Sequence, residues 1–554
     1  MMTDQRPWLA QYPKGVPANV DTDQYATLAE LVQEALKKYA QKPAFSCMGK
    51  TLSFAEVDQL SSAFAAYLHY RGIQPGDKMA LMMPNLLQYP IALFGALKAG
   101  VVIVNTNPLY TPREMKHQFV DSEATAIVIA ENFAANLEKI IGDTQIKTVI
   151  VTSLGEMLSF AKKLLVNFVV RRVKKMVPKY NLPTAVSFSQ ALSEGKGKKI
   201  TPFEGKAEDL IALQYTGGTT GVSKGAILTN ANLVANTLQS NAIIEPFLEP
   251  ASSTALCPLP LYHIFAFTVN CLAIFRQGQH NVLITNPRDL STVVQAFKDY
   301  KIAAMTGVNT LYNALVNNAD FQKLDFSEFR LVVGGGMAVQ RPVAEAWEKV
   351  TGVVLSEGYG LTEASPCVTM NPLDGRNRIG SIGLPLPSTE VRIWVEDEKR
   401  VGGANEIGEL QVRGPQVMKG YYNRPEATSD TFMDGWLCTG DIATMMEDGF
   451  FKIVDRKKDM ILVSGFNVFP NEVEDVLAGH PKVMEVAAVG IPSEKSGEVV
   501  KVFVVKKDPS LTEEEIINYA RENLTGYKVP KAVEFRDDLP KSNVGKILRR
   551  HLRE

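Results

Sequence analysis

Residues 210–225 read Leu-Ile-Ala-Leu-Gln-Tyr-Thr-Gly-Gly-Thr-Thr-Gly-Val-Ser-Lys-Gly. The apolar run 210–214 predicts a strand, and residues 215–225 predict a loop that closes around an anion. Gly217, Gly218 and Gly221 free the backbone for close approach, Thr216, Thr219 and Thr220 add hydroxyl donors, and Lys224 adds positive charge. This composition suits polyphosphate. A Walker A loop needs glycine directly before its lysine, and Ser223 stands there, so a P-loop kinase or GTPase is disfavoured. Alone, the stretch also reads as a ligand-free glycine turn.

Working outward, strand patterns at 78–83, 101–105, 126–130 and 148–152 alternate with or follow helical patterns at 28–39 and 86–98. Such alternation predicts an α/β fold: a large N-terminal domain of helix-covered, mostly parallel sheets. A chain of 554 residues exceeds what one core holds, about 250–300 residues. The texture changes near the charge run 455–459. Beyond it come strands at 483–489 and 499–505 and a helix announced by the capping box Thr512-x-x-Glu515. The expected division is 1–455 for the large domain, 456–458 for a hinge and 459–554 for a small α+β domain.

Composition removes several classes. Lys plus Arg number 59 against 60 Asp plus Glu, so no bulk field attracts nucleic acid. The five scattered cysteines argue against a disulfide framework and a zinc site, and suit a reducing cytosol. The opening residues carry Asp4, Arg6 and prolines where a secretion signal needs an apolar core. The longest apolar stretch, 89–105, is interrupted by Lys98 and too short to span a bilayer. Residues 157–193 contain no acid, while Lys162, Lys163, Arg171, Arg172, Lys174, Lys175 and Lys179 lie among Leu, Val and Phe. Two readings stand for 157–179: an amphipathic helix that settles on anionic membrane, or a basic surface excursion.

Two further clusters carry chemistry. Glu357-Gly358-Tyr359-Gly360-Leu-Thr362-Glu363 puts an aromatic ring, a hydroxyl and a carboxylate within five positions, suited to a purine, a phosphate and a magnesium ion. The triple glycine ending at Gly336 comes after a strand at 331–333 and marks close backbone approach or a plain tight turn.

Together with Thr439-Gly-Asp441, the basic stretch near Lys458 and Pro540-Lys-Ser-Asn-Val-Gly-Lys546, these motifs resemble the adenylate-forming superfamily. That group includes acyl-CoA synthetases, firefly luciferase and peptide-synthetase adenylation domains. The likeness runs in order from about residue 25 to the end. Residues 434–458, DGWLCTGDIATMMEDGFFKIVDRKK, look like the segment characteristic of fatty acyl-CoA synthetases.

The resemblance implies a long-chain fatty acid–CoA ligase that uses ATP, CoA and Mg²⁺. Thr216–Lys224 would hold the β- and γ-phosphates. Tyr359 would pack on adenine, with Gly336, Glu357, Gly358, Gly360 and Ile453 around the nucleotide. Thr362 would contact the α-phosphate, Glu363 and Thr219 would serve the metal, and Asp441 and Arg456 would bond the ribose. Lys546 would be a mobile catalytic lysine that screens two anions from each other. Lys458 would be the pivot of a rotating small domain, and Ser464 and Gly465 would then face the CoA thiol. His263 would lie beside the reacting carboxylate, with Phe267 and Val308 along the acyl tunnel; some long-chain relatives carry tryptophan where Phe267 stands. The implied location is cytoplasmic, with peripheral contact on the inner membrane face as its extension, and a homodimer is left open. Competing readings are a medium-chain or aryl-CoA ligase, a carrier-loading adenylase, and a non-catalytic fatty-acid carrier.

Overall fold

The computed structural model describes residues 6–200, 203–216, 223–493, 495–542 and 544–553. Gly217, Gly218, Thr219, Thr220 and Gly221 lie outside the described residues. Among the described residues the strands form four sheets.

The seven-stranded sheet runs, in spatial order, Val186–Ser187, Thr148–Thr152, Ala126–Ala130, Lys78–Met82, Val102–Asn105, Leu210–Thr216 and Lys224–Thr229. Every pairing is parallel until the last, an antiparallel hairpin that sets Thr216 opposite Lys224. Ala126–Ala130 is buried at every position, as strands covered on both faces must be. The helix Gln88–Lys98 supplies part of that cover and is buried along ten of its eleven residues.

The nine-stranded sheet has a parallel centre: Leu355–Gly360, Leu331–Gly334, Ile302–Gly307, Thr254–Cys257, His280–Leu283 and Pro43–Cys47. Only its edges are antiparallel. Both sheets match the parallel, helix-covered architecture expected from the sequence.

A third sheet departs from that expectation. Glu390–Val395, Ile407–Arg413, Trp436–Met445 and Phe451–Arg456 pair antiparallel throughout. The 446–450 connection is too short for a crossover helix, which forces antiparallel order there; the longer 414–435 connection carries the helix Pro425–Thr431 and the edge strand Phe432–Met433. An isolated backbone bridge joins this sheet to the segment leading into the edge strand Leu384–Pro385 of the nine-stranded one. There the Ile382 amide donates to the Phe451 carbonyl (2.9 Å), and the Phe451 amide donates to the Gly383 carbonyl (2.9 Å).

The smaller C-terminal domain has a core of its own around Val473, Leu477, Val486, Val502, Val504 and Ile516. The strands Val483–Ser493, Gly497–Lys506 and Ala532–Arg536 are backed by helices Pro470–Ala478 and Glu513–Asn523. The second helix opens on the anticipated capping box: the Glu515 amide donates to Thr512 Oγ1 (3.2 Å), and the Thr512 amide to Glu515 Oε2 (2.8 Å).

Gly383 is the residue on which the junction of the two large-domain sheets turns. Its φ is +84°, and an added Cβ would lie 2.1 Å from the Met370 carbonyl carbon. Gly383→Ala is expected to destabilise the large domain by about 2–3 kcal/mol, from overpacking and a strained backbone together. A fall in the urea midpoint of the large-domain transition checks this; an unchanged midpoint contradicts it.

Candidate active site

A cleft of about 2830 Å³ lies where the carboxyl ends of the parallel strands face the third sheet and the C-terminal domain. Parallel strands of this kind deliver their following loops to one rim, which is where open α/β sheets bind ligands.

Leu210–Thr216 brings Thr216 to the cleft, and its hairpin partner brings Lys224. The Lys224 ammonium sits 5.1 Å from the centroid of the Tyr421 ring. The Tyr421 hydroxyl in turn donates to Glu363 Oε1 (2.7 Å). Tyr421 therefore fixes one oxygen of that carboxylate and leaves lone pairs for another ligand. The sequence reading missed Tyr421, which stands 58 residues from its partner.

The strand Leu355–Gly360 lines the cleft with Glu357, Gly358, Tyr359 and Gly360, and Thr362 and Glu363 come next on a short turn. Gly360 is required by packing: an added Cβ would lie 2.2 Å from the Pro366 carbonyl oxygen. The Tyr359 hydroxyl donates to Asp441 Oδ2 (2.6 Å), which holds the ring upright on the cleft wall. Burial, with the Asp441 carboxylate beside it, pushes the Tyr359 phenol well above its ordinary range. Burial also pushes the Glu357 carboxyl up to about 8, so near neutrality it is largely protonated and can donate a hydrogen bond.

Asp441 and Arg456 face each other across the antiparallel pairing of Trp436–Met445 with Phe451–Arg456. Arg456 Nε lies 3.5 Å from Asp441 Oδ1. Gly336, Ile453 and Lys458 also line the cleft. Burial lowers the Lys458 ammonium below its ordinary range.

His263 stands at the start of the short helix Ile264–Ala266, where its Nδ1 accepts the Phe265 amide hydrogen (3.3 Å). Burial, reinforced by the Lys546 charge, brings its pKa down to about 4. The imidazole is thus neutral, and with Nδ1 accepting, Nε2 carries the hydrogen. It can donate to a carboxylate oxygen but is a poor base. A buried polar chain sets the position of the loop before it. Tyr89 donates to Asn105 Oδ1 (2.5 Å), Asn105 Nδ2 to Gln214 Oε1 (3.0 Å), and Gln214 Nε2 to the Tyr262 carbonyl (2.9 Å).

Lys546 enters the cleft from the C-terminal domain. The Thr310 hydroxyl donates to the Gly545 carbonyl (3.0 Å), and the Lys546 amide donates to Ser542 Oγ (3.1 Å). Burial, with the Arg456 guanidinium nearby, pulls the Lys546 ammonium down to about 8; Asp441 opposes the shift. His263, Asp441, Arg456 and Lys546 therefore share one electrostatic neighbourhood.

Four expected residues fall elsewhere. Phe267 is fully buried and is not on the cleft wall; Val269 lines it instead, with Ser240, Ile243, Ile244, Met370 and Leu386 forming an apolar arm. Phe267 opens the π-helix Phe267–Ile274 and packs into the large-domain core. Val308 lines the cleft, but beside Gly336, at the reacting end and not along the apolar arm. Ser464 and Gly465 form the exposed turn between Ile461–Val463 and Phe466–Val468 and do not reach the cleft in this arrangement.

Among the described residues, no three His, Cys, Asp or Glu side chains converge as a metal cage. That fits magnesium, which takes one or two carboxylates together with phosphate oxygens and water. Glu363 offers such a carboxylate.

The site is that of a nucleotide-using enzyme that brings two anions together. Residues 32–422 match the AMP-binding enzyme family and 472–546 its C-terminal domain. The chain belongs to the AMP-binding enzyme family. It is 57% identical over 548 residues to a long-chain-fatty-acid–CoA ligase of Escherichia coli O157:H7, covering 99% of this chain and 98% of that one. A protein of the same name from Yersinia pestis is 58% identical over 551 residues, with the same coverage. Among solved structures, an anthranilate CoA ligase in complex with anthranoyl-AMP superposes with a TM-score of 0.86 at 25% identity, over 96% of this chain and 98% of that one.

The lowered Lys546 pKa has a kinetic consequence. An ammonium screens anions and a neutral amine does not, so activity that depends on the Lys546 charge should fall as pH rises through about 8. In Lys546→Arg, whose charge persists to higher pH, that alkaline limb should disappear from the residual activity. A limb unchanged in the variant would assign it to another group.

Proposed function

We propose that the protein activates long-chain fatty acids with ATP and transfers the acyl group to coenzyme A. A carboxylate oxygen attacks the α-phosphorus of ATP; an O–P bond forms, the bond to the bridging oxygen breaks, and pyrophosphate leaves. The CoA sulfur then attacks the acyl carbonyl; a C–S bond forms, the C–O bond to phosphate breaks, and AMP leaves with that electron pair while the thiol proton passes to solvent. The observation that carries this reading is Lys546 seated beside His263, Asp441 and Arg456. The full-length similarity to proteins named long-chain-fatty-acid–CoA ligase supports the substrate class, and the apolar arm beyond His263 is the surface an acyl chain would occupy.

The residues divide the first step. Neutral His263 donates to the carboxylate and orients it. Tyr359 and protonated Glu357 border the base, and Asp441 accepts from the ribose hydroxyls, as an ionised carboxylate can. Lys224 and Lys546 screen phosphate charge in a cleft where such charges act strongly. Mg²⁺, held by Glu363 and phosphate oxygens, would supply further charge stabilisation. Residues 1–455 and 459–554 act as separate bodies about the hinge 456–458, with Lys458 as pivot. Movement there would bring the Ser464–Gly465 turn to the thiol.

Lys546→Ala should lower fatty-acid-dependent pyrophosphate exchange by about 10²–10³-fold. Transfer from supplied acyl-adenylate to CoA should be retained. Exchange at the wild-type rate would remove Lys546 from the mechanism.

The cytoplasmic location extends to peripheral membrane contact. No helix of the described residues is long and apolar enough to cross a membrane. The basic segment forms the helix Phe160–Phe168, continued by a π-turn at Val169–Val173. Asn167 pins it to Gly155 and Ser153, and Arg171 pairs with Glu131 (2.6 Å). Its outer face leaves Phe160, Leu165 and Val173 at 79%, 62% and 63% exposure among the lysines. Apolar side chains ringed by cations suit an anionic lipid surface. Replacing Phe160, Leu164, Leu165 and Phe168 by Ser should cut co-sedimentation with phosphatidylglycerol vesicles severalfold; unchanged binding would reject this face.

A further inference from the structure

Three residues beyond Lys546, a heavily bonded cation spans the junction of the two domains. Arg549 lies on the same tail as Lys546. Its Nε and Nη2 donate to Glu474 (2.9 and 2.6 Å), and Nη2 also donates to Asn471 Oδ1 (2.5 Å). These partners sit on the helix Pro470–Ala478, within the C-terminal domain, so this part of the network moves with the tail. An ion pair with Asp459 (3.6 Å) likewise lies past the hinge.

One more bond differs in kind. Arg549 Nη1 donates to Asp455 Oδ1 at 3.1 Å. Asp455 belongs to the strand Phe451–Arg456 of the large-domain sheet, before the hinge, and it is fully buried. Its Oδ1 also accepts from the Arg456 amide (2.7 Å) and its Oδ2 from the Asn471 amide (2.7 Å). Both Arg549 and Asn471 thus reach back across 456–458 to one carboxylate. Turning about Lys458 would part Asp455 from both while leaving Arg549 with Glu474.

We infer that Asp455 is a positioning residue. It latches the C-terminal domain in the arrangement that presents Lys546 to the phosphates, and release of its bonds to Arg549 and Asn471 admits the thioester-forming arrangement. This rests on the two-step reading of the function. Asp455 touches no reacting atom; it acts by weighting one arrangement over the other. A contact made in one state only shifts the populations, whereas Glu474, bonded to Arg549 in both, does not.

The test separates the half-reactions in the full-length enzyme. Asp455→Asn keeps the size of the side chain and removes the charge that faces Arg549. Oleate-dependent exchange of labelled pyrophosphate into ATP should fall roughly tenfold, the usual scale of a conformational coupling. Transfer from synthetic oleoyl-adenylate to CoA should stay within about twofold of wild type or rise. Asp455→Glu, which restores the charge, should recover part of the exchange activity. Protease cleavage near residue 458 should quicken in Asp455→Asn at an unchanged melting temperature. Equal losses in both half-reactions, or no loss of exchange, would overturn the latch. Should wild-type enzyme itself fail to exchange pyrophosphate with any fatty acid, the two-step reading fails first, a result distinct from either.

Discussion

Parallel strands can end on only one side of their sheet, and that constraint organises this molecule. Thr216, Val308, Gly336 and the Tyr359–Glu363 segment each follow or end a strand that has a parallel neighbour. Their side chains meet because their strands do. What the rim cannot supply comes from outside the parallel framework: Asp441 and Arg456 from an antiparallel sheet, Lys546 from a separate core. The rim is thus built on sheet, and Lys546 is carried by the C-terminal domain with its own core.

Electrostatics obeys the same division. The cleft wall includes the cations Lys224, Arg456 and Lys546 and the carboxylates Asp441 and Glu363. Each carboxylate is tied by a tyrosine hydroxyl, Tyr359 or Tyr421, which orients it without neutralising it. Burial in a partly dry cleft disfavours an ammonium, as the depressed Lys546 shows.

Much of this was legible in the sequence, because the signals were local. Ala126–Ala130 and Thr148–Thr152 are short apolar runs with one reading, and the Thr512–Glu515 box names its own helix start. The residues expected to hold the nucleotide lie in contiguous motifs. What escaped notice depends on tertiary pairing. Nothing near Tyr421 marks it as the partner of Glu363, and Asn105 and Gln214 look like ordinary polar residues in apolar strands until the sheet sets them side by side. The Phe267 expectation came from the family resemblance, and the structure packs that side chain into the large-domain core.

The chain of bonds from Tyr89 through Asn105 and Gln214 to the Tyr262 carbonyl has an implication for cells under acid stress. Two of its three side chains are amides, which hold no ionisable proton, and burial keeps the Tyr89 phenol protonated far above neutrality. Acidification of the surrounding fluid therefore leaves the strut intact, and the loop that carries His263 keeps its station while the solvent changes around it.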